Sequence, residues 1–229
     1  MNDSIYTIPI NDVFEPKDGC PICRLRDMLE TRCIDYILGA AMMEPDVRIQ
    51  TNEQGFCDKH FKQMFKNRNK LSLALMLQSH LDSIAHDIFD KKDIFNPSAK
   101  VQKVHRLQHS CFVCNQIDTA MDKLLGTVFK MWDSSLEFKE LFRAQPQLCL
   151  EHFDLLCRSA EKHLPRRKVS DFYGDCEELV KPALARLRED VTHFTTMFDY
   201  RNSGENADWK NSKDSIQRAI AFLTSYRPD

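Results

Sequence analysis

Eight residues in four short motifs constrain this chain more than any other feature. Cys20 and Cys23 lie in GCPICRL, Cys57 and His60 in GFCDKHF, Cys111 and Cys114 in SCFVCNQ, and Cys149 and His152 in LCLEHF. In order, they spell C-x2-C-x33-C-x2-H and then C-x2-C-x34-C-x2-H. The match extends to the surrounding residues: Ile22 corresponds to Val113, Phe56 to Leu148, and Phe61 to Phe153. The pattern reads as an internal repeat of roughly 90 residues.

Thiolates with an imidazole form a donor set that suits zinc in a tetrahedron. A Cys–x–x–Cys turn places two sulfurs on one side of an ion. A Cys–x–x–His at a helix start presents two donors from one face, because positions three apart are neighbours on a helix. The eight residues are therefore the expected metal ligands, with two zinc ions held. The simplest assignment joins each Cys–x–x–Cys to the Cys–x–x–His of its own half. The spacing also permits exchange between halves, with Cys20 and Cys23 meeting Cys149 and His152. Four protein ligands close a tetrahedron, which makes the expected zinc structural. Iron–sulfur ligation is the rival chemistry for such cysteines.

The compartment bears on that reading. MNDSIYTIPINDVFEPKDG has no basic start followed by an apolar run, so no signal peptide is expected. No window approaches the ~18 apolar residues of a membrane span. The expected location is cytoplasmic, where disulfides do not persist, and nine cysteines then call for another role. Cys33, Cys157 and Cys176, outside the motifs, are expected in the core. His80 and His86 lie six apart and do not match helical ligand spacing. Net charge is −2; six ionised cysteines subtract six and two zinc ions add four, giving −4. Neither nucleic acid nor membrane is an expected partner, and the short run Arg166-Arg167-Lys168 reads as a solvated loop.

Only six glycines occur in 229 residues, too few for the tight turns of a sheet protein. The expected fold is all-α: two related helical halves, 1–95 and 96–229, the second with a C-terminal extension, packed about a pseudo-two-fold. Helices are expected over about Arg24 to Met42, Leu71 to Phe89, Asn115 to Trp132, Cys176 to Phe198 (with Pro182 in its first turns) and Ile216 to Thr224. The connector MEPDVRIQTNEQG reads as extended around Pro45, and DSSLEFKELFRAQPQ as a capped short helix ending before Pro146. DKKDIFNPSAK and RNSGENADWKNSKDS read as linking loops.

Two polar stretches are candidate ligand sites. EPDVRIQTN has no counterpart in the second half, whose connector reads as a helix, and FDYRN closes the last long helix. Arg48, Asn52 and Arg201 are the candidate residues of an anion pocket, since arginine offers a fixed fork of donors. No Gly-rich phosphate loop, GxSxG elbow or HExxH motif is present, and no catalytic residue is assigned.

The combination of CPIC, MEPDVRIQTNEQGFCDKHF, the second Cys–x–x–Cys with LCLEHF, and FDYRN…KDSIQRAIAFL resembles an uncharacterised bacterial family. That family is a domain of unknown function, found mainly in Gram-positive gut anaerobes, and the likeness covers most of the chain. It implies a cytosolic bacterial protein with the eight residues as its metal-ligand pattern, and it brings no activity. The expected function is a zinc-stabilised helical scaffold that binds a protein or small ligand. The alternatives are an enzyme or anion pocket at the two polar stretches, and a thiol redox sensor.

Overall fold

The computed structural model describes residues 7–90, 97–199, 201 and 208–225. Among them there are eleven α-helices and no strand: α1 (Ile8–Phe14), α2 (Pro21–Leu38), α3 (Pro45–Gln54), α4 (Asp58–Lys66), α5 (Lys70–Ile84), α6 (Pro97–Gln108), α7 (Phe112–Ser134), α8 (Leu136–Arg143), α9 (Leu150–His163), α10 (Arg166–Thr196) and α11 (Ser215–Thr224). A 3₁₀ segment, Ala40–Met43, follows α2, and a π-helical segment, Ala85–Asp90, extends α5. The all-α expectation holds. Among the described residues no helix is long and apolar enough to cross a membrane. Parts of both expected linking loops, 91–96 and 202–207, lie outside the described residues.

The chain forms two compact units, Met1–Leu25 with Asp122–Asp229, and Arg26–Met121. These are not the sequence halves 1–95 and 96–229. Helix contacts, rather than position along the repeat, decide the grouping, and the boundaries fall inside α2 and α7.

The discontinuous unit is built on aromatic packing. Phe14 of α1 meets Phe138 and Phe142 of α8, with ring centroids 5.0 and 5.9 Å apart. Phe172 of α10 continues the cluster to Phe142, Phe129 and Trp132. A buried carboxylate, Asp175, accepts from the Trp132 indole at 2.9 Å and from Arg143 Nε at 2.8 Å, so the polar group in this core is satisfied. The Ser135 hydroxyl caps α8 by accepting from Phe138 N, as its sequence predicts.

The continuous unit buries Ile34, Ile37, Leu38, Met64, Leu73, Met76, Phe112 and Ile117. Asn69 caps α5 and also donates to the Leu38 carbonyl, tying the start of α5 to the end of α2. Gly55 ends α3 with φ +60°, a conformation that favours glycine, and a Cβ there would lie 3.2 Å from Leu107 and 3.3 Å from His80. The Gly55 carbonyl accepts from Phe112 N at 2.9 Å, which places the chain before Cys57 beside the start of α7.

Three expectations need correction. The connector around Pro45 is helical rather than extended: Pro45 occupies the first turn of α3, where its missing N–H costs nothing, and Gly55 stops it. Val47, Arg48, Thr51 and Asn52 turn inward at helical spacing while Ile49 is exposed, and both connectors are therefore helical. The basic run Arg166-Arg167-Lys168 opens α10 instead of forming a loop, and Lys168 pairs with Asp133. Finally, α10 runs for 31 residues, and Pro182 sits in its interior. The buried positions Phe172, Cys176, Leu179, Ala183 and Leu187 continue through Pro182, whose side chain faces solvent.

An interior proline removes a helix hydrogen bond, and Pro182 gives little packing in return. Pro182→Ala is expected to stabilise the chain by about 2 kcal/mol after allowance for the freer unfolded state. A higher denaturant midpoint with an unchanged slope is the expected measurement; an unchanged or lower midpoint refutes it.

Candidate metal centres

Each of the four motifs opens a helix in the same way. Cys57 and Cys149 are the N-cap residues of α4 and α9, with nearly identical backbone angles, φ −74°, ψ 163° and φ −74°, ψ 162°. Cys20 and Cys111 stand directly before α2 and α7. All four carbonyls accept the first helical bond, from Arg24, Phe61, Asn115 and Phe153. Every motif thus supplies one donor at the N-cap and one three residues on, at the end of a helix that carries partial positive charge.

The donors converge as two sets: Cys20, Cys23, Cys149 and His152; and Cys57, His60, Cys111 and Cys114. Each Cys–x–x–Cys meets the Cys–x–x–His of the other half, which corrects the within-half assignment. Local sequence specifies only that a motif starts a helix; which helix starts meet is decided by packing. The sets are nested along the chain, and "outer" and "inner" name them below in that sense.

Within each set the four ligand atoms lie within 4.8 Å of one another. In the outer set, His152 Nδ1 is 3.0 Å from Cys149 Sγ, 3.3 Å from Cys23 Sγ and 3.6 Å from Cys20 Sγ. In the inner set, His60 Nδ1 is 3.1, 3.2 and 3.5 Å from the sulfurs of Cys57, Cys111 and Cys114. Sulfur–sulfur separations include 3.7 Å for Cys23–Cys149 and 4.0 Å for Cys57–Cys114. A zinc tetrahedron with Zn–S near 2.3 Å and Zn–N near 2.0 Å has edges of about 3.8 Å (S–S) and about 3.5 Å (S–N). Both sets can hold one metal ion.

The surroundings differ. His60 Nε2 pairs with Glu30 Oε1 at 2.8 Å, and Glu30 also accepts from Lys59 at 2.5 Å and Gln63 at 2.7 Å. Burial pushes the Glu30 carboxyl up, but these three bonds outweigh it and hold the group at about 2. In the outer set, the Ser225 hydroxyl lies 3.0 Å from Cys149 Sγ, and Ser225 is a left-handed residue at the end of α11. The outer set also walls a cavity of about 310 Å³, shared with Arg186, Arg218 and Gln217.

Proton placement follows the same contacts. Burial lowers both ligand imidazoles, yet their neighbouring cysteines, with Glu30 at His60, raise each to about 9. Burial raises Cys111, and His60 brings it to about 6; hydrogen bonds from Cys20 and Cys23 hold Cys149 low. Each set therefore favours a thiolate beside an imidazolium, and a cation that bound there would displace protons.

A family of proteins matches the chain over residues 1–229. The chain belongs to DUF6062, a family of unknown function. Curated proteins and solved structures yield no match.

The remaining candidates of this DUF6062 chain are placed as follows. Arg48 Nη2 donates to the Leu75 carbonyl at 2.8 Å, inside the continuous unit. Asn52 accepts from Ser79 and lines a polar cavity of about 530 Å³ with Glu53, Lys103 and Arg106. Arg201 belongs to the other unit, where it pairs with Asp199 at 3.5 Å; Tyr200 and Asn202 of FDYRN lie outside the described residues. His80 is buried, and burial lowers its pKa; His86 is exposed beside Asp87. Cys176 is buried as expected, whereas Cys33 and Cys157 are half-buried. Glu30, Lys59, Gln63 and Ser225 escaped the sequence reading. Glu30 is one of two carboxylates in CRLRDMLE, with Asp27, and no motif distinguishes it from a surface charge.

Glu30 also carries a pH signature. Its folded value of about 2 lies below the ordinary 4.5, so its contribution is complete above about 4.5 and is lost as pH falls through about 2. The unfolding free-energy gap between wild type and Glu30→Gln should be flat above about pH 5 and close toward pH 2. A gap independent of pH across that range contradicts the ionised, bonded carboxylate.

Proposed function

We propose that both Cys/His sets bind zinc, that this zinc is structural, and that the chain is a zinc-stabilised helical scaffold for binding a protein or small ligand. The observation that carries the reading is the closure of each set: three sulfurs and one imidazole nitrogen within 4.8 Å of one another. Four protein donors leave no coordination position for water or substrate, which sets such a site apart from a catalytic one. The chemistry of the set, soft sulfur with one nitrogen, favours zinc over harder cations. Convergence on one point suits a single ion better than an iron–sulfur cluster, whose ligands are shared among several irons.

Further support comes from the surface expected of a scaffold. Helices α10 and α11 border an apolar groove of about 480 Å³, lined by Leu184, Leu187, Val191, Phe222 and Leu223. Leu184 and Leu223 are 50% and 56% exposed. Arg48, the residue on which the anion-pocket alternative depends most, is bonded to a main-chain carbonyl of its own unit.

Purified full-length protein should carry two zinc ions by elemental analysis. Cys57→Ser and Cys114→Ser should each lose the same ion, and Cys23→Ser and Cys149→Ser the other. Each loss should lower stability by several kcal/mol, because metal binding energy at such a site is folding energy. Folded protein without metal, or a brown protein with visible absorbance, overturns the proposal. Paired losses of Cys57→Ser with Cys23→Ser would overturn the ligand grouping.

A further inference from the structure

The two sets have the same kinds of donor, three cysteines and one histidine, but not the same support. In the inner set, His60 presents Nδ1 to the three sulfurs while Nε2 is bonded to Glu30 at 2.8 Å. Glu30 is only 7% exposed, and Lys59 and Gln63 fix its two oxygens. A carboxylate behind a ligating histidine fixes its tautomer and ring orientation and makes the metal-facing nitrogen a stronger donor. Among the described residues, the hydrogen bonds of His152 all run from Nδ1 to the cysteines of its own set. Its set is supported instead by the Ser225 hydroxyl on Cys149, a neutral contact that draws electron density from a ligand sulfur. Cys20, Cys23 and Cys149 also line the cavity of about 310 Å³, through which a small competing donor could approach the metal.

We infer that the two metal sites are unequal: Glu30 makes the inner site the tight, permanent one, and the outer site is the one that exchanges its metal. This rests on the zinc reading above. Removing such a carboxylate partner typically weakens metal binding by about 10- to 100-fold, so a gap of that order is expected between the sites. Residue exposure alone points the other way, since Cys57 and Cys114 are half-buried while Cys20, Cys23 and Cys149 are buried. The two arguments therefore predict opposite orders of release.

The test uses full-length, zinc-loaded protein titrated with the chromophoric chelator 4-(2-pyridylazo)resorcinol, with zinc counted by native mass spectrometry. At the one-zinc stage, free thiols are alkylated with iodoacetamide and mapped by peptide mass spectrometry. The expected result is two separated release steps, with Cys20, Cys23 and Cys149 labelled and Cys57, Cys111 and Cys114 protected in the one-zinc species. In Glu30→Gln, shown folded by circular dichroism, the second step should move toward the first by about 10- to 100-fold. Labelling of Cys57, Cys111 and Cys114 first overturns the inference, as does simultaneous release in the wild type or an unchanged gap in Glu30→Gln. Each of those results leaves the two-zinc reading standing. A chain that takes up no zinc overturns both.

Discussion

Two helix N-termini aimed at one point repel each other, since each carries about half a positive charge and several unpaired N–H groups. Both Cys/His sets of this chain are built on that arrangement. Under the zinc reading proposed above, three thiolates per set would reverse the sign of the interaction, and a divalent cation would join what is otherwise an unfavourable approach. The N-cap position of Cys20, Cys57, Cys111 and Cys149 is therefore central to the structure, because it puts the anionic donors where the helix ends favour them. The donor three residues on completes the grip from the same turn.

The rest of the packing serves to bring these ends together. The residue after each Cys–x–x–Cys reaches a glutamine just before the partner motif: Arg24 bonds Gln145 at 3.0 Å, and Asn115 bonds Gln54 at 2.8 Å. Gln145 in turn donates to the Phe14 carbonyl, which links the outer set to the aromatic core through α1. In the inner set, the Gly55 carbonyl and the Ser110 hydroxyl play the corresponding part.

Locally encoded features were legible in the sequence. The eight Cys and His side chains of the two sets, the Ser135 cap and the span of α11 each depend on residues a few positions apart. The pairing of motifs was not legible, because C-x33-C and C-x34-C separations suit both assignments equally, and only helix packing distinguishes them. The helix at Pro45 was hidden by a polar and apolar alternation that points to an extended segment, whereas the residues that turn inward are Val47, Arg48, Thr51 and Asn52. The first turns of α10 were hidden by a basic run, which its partner Asp133 accommodates, and by Pro182, which the long apolar stripe overrides. Glu30 had no signature at all, since its role depends on a histidine thirty positions away.

Nesting has a consequence for how the protein is made. A ribosome delivers Cys57, His60, Cys111 and Cys114 before Cys149 and His152 exist, so a nascent chain can complete the inner set while the outer one still lacks half its donors. The separation closed by the outer set, Cys23 to Cys149, is about 2.5 times that closed by the inner set, His60 to Cys111, which for a free chain adds about 0.8 kcal/mol of closure entropy. Closing the inner set first removes most of that difference, because the intervening segment is already folded back on itself. Vectorial synthesis and chain entropy thus favour the same sequence of events, with the set completed first lying, along the chain, between the two halves of the set completed last.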